Sequence, residues 1–141
     1  PDRDTERQMM VATTGSEEAT PVQVMTAEEL RAAQTLVRRL PVGESVVEAI
    51  LAIVRAGRPE SSDLDEVVEH VGWGPGPRAS QALMLTCRAR ALIDGRLSPS
   101  LDDVVALAKP VLQHRMALKF AARHSGVTVD SIIDLLCQRI A

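Results

Sequence analysis

The sequence predicts an all-α fold, a small bundle of about four to six helices, on three observations. Ala, Leu, Val, Ile and Met supply the apolar set, with one Trp, one Phe and no Tyr, a composition that favours helix over sheet. Apolar residues recur at helical spacing in several windows. Those windows are bracketed by caps and stops such as Thr26, Pro41, Gly57, Pro77, Gly95 and Ser100.

Asp2 to Thr13 opens with acids and closes on Met9, Met10, Val11 and Ala12, which suits a first helix. Gly15 to Val24 is polar, contains a Pro and reads as a linker. Thr26-Ala27-Glu28-Glu29 is a capping box, and the helix it starts runs to about Arg39, with Leu30, Ala33, Val37 and Leu40 inward. Pro41 stops it. A helix from Glu44 to Ala56 places Val47, Ile50, Leu51 and Val54 inward and ends at Gly57 and Pro59. Over 60–71, Leu64, Val67, Val68 and Val71 fit one helical face, yet the paired valines fit a short extended segment equally well.

Gly72 to Pro77 holds three glycines and two prolines in six positions, which forbids regular structure up to Pro77. Pro suits the first position of a helix, and residues from there to Ile93 read as the most apolar helix of the chain, ended by Asp94-Gly95. At 100° per residue, Ala82, Leu85, Ala89, Leu92 and Ile93 fall on one side. Ser80, Cys87, Arg90 and Asp94 fall opposite, so Ala82→Glu is expected to bury a charge and unfold the domain. Ser100 caps the next helix with Asp102-Asp103 in its first turn and Val104, Val105, Leu107 and Ala108 inward, and Pro110 is expected to break or kink it near Lys109. A last helix from about Thr128 carries Ile132, Ile133, Leu135, Leu136 and Ile140.

The 141 residues suffice for one domain with a core, or a small domain with extensions. A net charge of −3 gives no pull toward nucleic acid or an anionic membrane, and scarce aromatics exclude a stacking platform for single strands. Cys87 and Cys137 fit neither a zinc site nor a disulfide framework and read as reduced thiols of a cytoplasmic protein. No signal peptide or membrane span is evident. His70, His114 and His124 are too dispersed for a shared metal site, Ser80, Ser98 and Ser100 are caps or turn residues, and the acidic pairs are helix-start charges.

Arg78 is the residue that asks for an explanation. It sits at the N-terminal mouth of a helix, along the expected apolar side, where the dipole disfavours a cation. A bound anion, held by helix N–H groups and the guanidinium together, would supply the cause. A snorkelling or carboxylate-paired arginine is the alternative.

Trp73-Gly74-Pro75-Gly76-Pro77-Arg78-Ala79-Ser80-Gln81-Ala82-Leu83, then Ala89-Arg90-Ala91-Leu92 and Gly95-Arg96, resembles the sensor-2 segment of the MoxR family of AAA+ ATPases. Asp102-Asp103-Val104, Ala106-Leu107-Ala108, Pro110-Val111-Leu112 and His114-Arg115 resemble the same family's lid domain. The resemblance implies that residues 25–141 form a helical AAA+ lid and that 1–24 are the end of the α/β ATPase core plus a linker. It makes Arg78 the nucleotide-sensing residue, supported by Pro77 and Ala79, which reaches toward the γ-phosphate of ATP held with Mg²⁺ on the core. It leaves open whether Arg88 or Arg90 touches a neighbouring subunit, and whether His114 is more than a hydrogen-bonded structural histidine.

The implied parent is a ring ATPase, commonly a hexamer. Such parents act as chaperones that mature partner proteins, often beside von Willebrand A domain partners. No GxxxxGK[ST] loop or acidic magnesium-binding strand end occurs here, and the chain begins at Pro1. A cut fragment, inactive alone and binding no cofactor, is therefore expected. The alternative is a freestanding helical module for protein or DNA binding. The acidic balance and the lack of a basic stripe weigh against DNA.

Overall fold

The computed structural model describes residues 1–16 and 20–140, and the chain packs as two compact units, Pro1–Ala32 and Ala33–Ala141. The expected linker over 15–24 falls partly outside the described residues, at 17–19.

In the first unit, helix α1 spans Arg3–Thr14. Asp2 caps it, its carboxylate accepting from the Thr5 N–H at 2.8 Å. The helix buries no side chain, and Met9, Met10 and Val11 are exposed. Helix α2, Ala27–Arg39, starts in this unit on the predicted box. Thr26 N–H donates to Glu29 at 2.7 Å, and Glu29 N–H donates to the Thr26 hydroxyl at 3.2 Å. Leu30 is exposed rather than inward, Ala33 and Val37 are half-buried, and Leu40, just past the helix, is the residue that reaches a core.

The second unit is built from α3 (Glu44–Ala56), α5 (Pro77–Ile93), α6 (Leu101–Leu112) and α8 (Val129–Cys137), with the short helices α4 (Asp65–His70) and α7 (Phe120–His124). Six of the eight α-helices among the described residues match predicted segments; α4 lies where helix is one of two readings, and α7 is not predicted. Within 60–71 both conformations left open by the sequence occur, α4 running directly into strand β1, Val71–Trp73. That strand also includes Gly72 and Trp73, where the glycines and prolines are expected to forbid regular structure, because pairing with a partner strand fixes their backbone. β1 pairs antiparallel with β2, Ala117–Leu118, through Val71–Leu118 and Trp73–Ala117 with an irregularity between them. Two strands so short carry no alternation to read.

The core joins Ile50, Ile53 and Val54 of α3 to Leu83 of α5, Leu112 of α6 and Leu136 of α8. On α3 the inward face is Val46, Ile50, Ile53 and Val54, so Leu51 points out and Val47 is half-buried. On α5 the correction is larger. Its core face is Ala79, Leu83, Cys87 and Ala91, all fully buried, whereas Ile93 is exposed and Ala82, Leu85, Ala89 and Leu92 are half-buried. Nor is α5 the most apolar helix; α3, α6 and α8 each are more so.

Helix α6 does not break at Lys109 but continues to Leu112 with Pro110 inside. Pro110 cannot donate to the Ala106 carbonyl, but both residues lie on the exposed face, where an unpaired carbonyl costs least. A 3₁₀ turn over Gln113–Arg115 then leads to β2. Val105 is partly exposed and Leu107 half-buried, leaving Val104, Ala108, Val111 and Leu112 as the apolar core residues of α6.

Helix α5 ends in a Schellman motif. Gly95 takes φ +72°, its N–H donates to Leu92 O at 3.0 Å, and Arg96 N–H donates to Ala91 O at 2.7 Å. α8 opens on a box in which Ser131 N–H donates to the Thr128 hydroxyl at 3.0 Å and Thr128 N–H donates to Ser131 Oγ at 3.1 Å.

Candidate functional site

The head of α5 is set by a backbone contact rather than by a capping side chain. A Cβ on Gly74 would lie 2.4 Å from Gly57 O and 2.7 Å from Arg58 Cα, so the loop before α5 lies flat against the turn that ends α3. Only glycine permits that approach. Pro75 is buried there, and its carbonyl accepts from Arg58 Nε at 2.8 Å. Gly76 is the N-cap, Pro77 occupies the first helical turn, and Ala79 N–H donates to Gly76 O at 2.9 Å.

The structure places Pro77 and Arg78 on the surface and Ala79 in the core. Ala79 thus fixes the helix rotation, and Arg78, 100° around, is turned outward rather than along an apolar face. Among the described residues Arg78 makes no hydrogen bond or ion pair, so the carboxylate-paired alternative has no partner there. No side chain caps α5 and no acid stands in its first turn. The exposed Arg78 guanidinium therefore stands at the positive end of the α5 dipole with no acid in the first turn, a placement that suits an anion.

A second polar cluster, not anticipated, lies at the far end of α5. Asp103 is buried and ligated on every side. Arg96 grips it bidentately, Nη1 and Nη2 each at 2.7 Å; Ser100 N–H donates to it at 2.8 Å, and Arg90 Nε stands 3.4 Å away. Asp94 adds a contact to Arg96 at 2.9 Å. The fork from Arg96 and the Ser100 N–H hold the Asp103 carboxyl down at about 2, overcoming burial, and Arg96 is pushed up in return. Asp103 is therefore the lock of the α5–α6 turn, not an ordinary helix-start charge. The Ser100-x-x-Asp103 spacing announced a capping box; nothing announced that Arg96 would close over it.

The sign of its pH dependence follows. A carboxyl lowered in the folded state stabilises above its unfolded value, near 3.8, and loses that contribution as pH falls through about 2. About 2 kcal/mol rides on the shift, since the partly exposed Arg96 is screened by solvent. Asp103→Asn is expected to flatten the fall in melting temperature between about pH 4 and pH 2. Parallel wild-type and mutant curves would contradict the assignment.

The remaining candidates separate. Arg90 is absorbed by Asp103 and Asp94, whereas Arg88 is half-buried with an Nε that finds no partner among the described residues. His114 is exposed and its Nε2 contacts Arg115 Nη1, while His124 has no described side chain. Burial drives the Cys87 thiol up to about 11, and Cys137 is raised in the same way, so both are inert core thiols. Among the described residues no three His, Cys, Asp or Glu side chains converge as metal ligands, and no helix is long and apolar enough to cross a membrane.

A family model described as AAA lid domain matches residues 66–136. The chaperone MoxR1 of Mycobacterium tuberculosis is 28% identical over 120 residues, 84% of this chain and 32% of that protein. An uncharacterised Bacillus subtilis protein, YeaC, is 32% identical over 110 residues, 78% of this chain and 32% of that one. The chain thus spans about a third of the length of these curated relatives. A solved structure from Cytophaga hutchinsonii, assigned as an ATPase, superposes with a TM-score of 0.84 over 97% of this chain and 42% of its own; at 22% identity the likeness is one of fold.

Proposed function

Because this chain belongs to the AAA lid domain family, in a MoxR-like form, we propose that it senses the γ-phosphate of ATP through Arg78 and converts its presence into lid position. The single observation that carries this reading is a fully available guanidinium at an uncapped helix head, anchored by a backbone contact that admits only glycine. An arginine fork suits phosphate oxygens, and the α5 N-terminal N–H groups supply further positive potential without an acid to compete.

ATP supplies the group whose loss is sensed. This chain contributes one charge contact to it and a rigid lever: α5 is bound to α6 by the Asp103 lock and to α3 through the shared core. When the phosphate leaves, Arg78 loses its partner, and the lid is free to change angle as one body. Magnesium, water activation and the phosphate loop are assigned to a core outside these residues, so hydrolysis by the isolated chain is not expected.

The wider role follows the same proposal: a ring, commonly hexameric, in the cytoplasm, with ATP and Mg²⁺ on its core. It would act as a chaperone in maturation of partner proteins, alongside a von Willebrand A domain partner. MoxR1 is named a chaperone, which supports that direction.

In the full-length protein that carries this lid, Arg78→Ala is expected to reduce the preference for ATP over ADP by about tenfold to a hundredfold, the scale of a charge-assisted hydrogen bond. Arg78→Lys should restore only part, because the planar fork is gone. The melting temperature should hardly move, since Arg78 is exposed and makes no hydrogen bond or ion pair among the described residues. Equal loss of ATP and ADP binding would make Arg78 a packing residue and sink the proposal.

A further inference from the structure

The loop that presents Arg78 cannot hold itself. Pro75 and Pro77 have no N–H to donate, and Gly74 and Gly76 have no side chains with which to pack or bond. Its path is instead taken from the end of α3, through the contact of Gly74 with the Gly57–Arg58 backbone and the bond from Arg58 Nε to Pro75 O at 2.8 Å. Arg58 is half-buried and, among the described residues, forms no ion pair; its bond to protein goes to a carbonyl two residues before Pro77. Its own backbone is fixed on both sides, Arg58 N–H donating to Arg55 O at 3.1 Å and Ser61 N–H to Arg58 O at 3.0 Å. On the same turn, a Cβ at Gly57 would meet Pro75 at 3.1 Å and Leu136 of α8 at 3.3 Å, so α3, α8 and the loop meet at one point.

We propose that Arg58 is a positioning residue for Arg78: through the Pro75 carbonyl it holds Gly74–Pro77 in the path that aims the guanidinium outward from the head of α5. This rests on reading Arg78 as the phosphate sensor. Arg58 then does not touch nucleotide. It sets how much of the Arg78 population stands ready, and it ties that readiness to the seating of α3 against α8.

The chemistry provides a matched pair of variants. The Nε2 of Gln lies the same number of bonds from Cα as the Nε of Arg, so Arg58→Gln keeps the donor and discards the charge. Arg58→Met keeps length and discards the donor. In the full-length protein, Arg58→Met is expected to lower the ATP-over-ADP preference by about threefold to tenfold, the scale of one hydrogen bond, while Arg58→Gln stays near wild type. In an Arg78→Ala background Arg58→Met should add no further loss, because both act through one group.

An unchanged preference in Arg58→Met, beside a lost one in Arg78→Ala, overturns the role of Arg58 and leaves the sensor reading standing. An unchanged preference in Arg78→Ala removes the reading beneath both. Additive losses in the double variant, or Gln behaving like Met, would also overturn the proposal, the first because Arg58 then acts elsewhere and the second because its charge, not its donor, matters.

Discussion

Leu83→Glu is expected to leave the helical unit unfolded at room temperature, whereas Ala82→Glu should fold. Leu83 is fully buried in the core shared by α3, α5 and α6. Losing the leucine costs about 2–5 kcal/mol. An unpaired buried carboxylate adds several kcal/mol more. Together these match the whole stability of an ordinary domain, about 5–15 kcal/mol. Ala82, one residue away, is half-buried, so a glutamate there can carry its charge to water and should cost about 1 kcal/mol. Helical circular dichroism against temperature reads both. If the two variants melt together, the rotation of α5 is wrong.

Gly74→Ala is expected to lower the melting temperature by about ten degrees or more. Its new methyl would fall 2.4 Å from Gly57 O and 2.7 Å from Arg58 Cα, both backbone atoms that cannot swing aside. Overpacking of this kind costs about 3 kcal/mol, and a degree of melting temperature in a unit of this size corresponds to a fraction of 1 kcal/mol. The natural control is two residues on. A Cβ on Gly76 would meet nothing within 4 Å, and its φ is −82°, so Gly76→Ala should change stability by less than about 1 kcal/mol, the worth of an N-cap preference. Equal melting of the two variants would mean that the loop does not press on α3. Gly74→Ala should also displace Arg78, so in the full-length protein its ATP-over-ADP preference should fall beyond what lost stability explains.

Much of this architecture could be read along the chain because it is written in local terms. The box at Thr26 and Glu29, the start of α6 at Ser100, the stop at Gly95 and the Pro-led start of α5 each depend on a few adjacent residues. So does the head of α5 as a candidate site, since Pro77, Arg78 and the absence of a first-turn acid are consecutive facts. The segments that escaped are those with little local signature. β1 and β2 have three and two residues and exist because each finds the other across forty-odd positions of chain.

Helix α5 shows most plainly where sequence stops. It carries two apolar stripes, Ala79-Leu83-Cys87-Ala91 and Ala82-Leu85-Ala89-Leu92, on nearly opposite sides of the helix. Periodicity shows the helix, but with both sides nearly apolar it does not choose between them. Packing against α3 and α6 took the first stripe inward, and all four of its residues are fully buried. That one rotation turned Arg78 out to solvent. Likewise Ser100 and Asp103 start a helix on local grounds, whereas the burial of that carboxylate goes with packing that brings Arg96 and Arg90 onto it. Caps and turns are settled within a few residues by the backbone's need for partners; which face goes inward, and which charge can follow it, depends on neighbours that are distant in the chain.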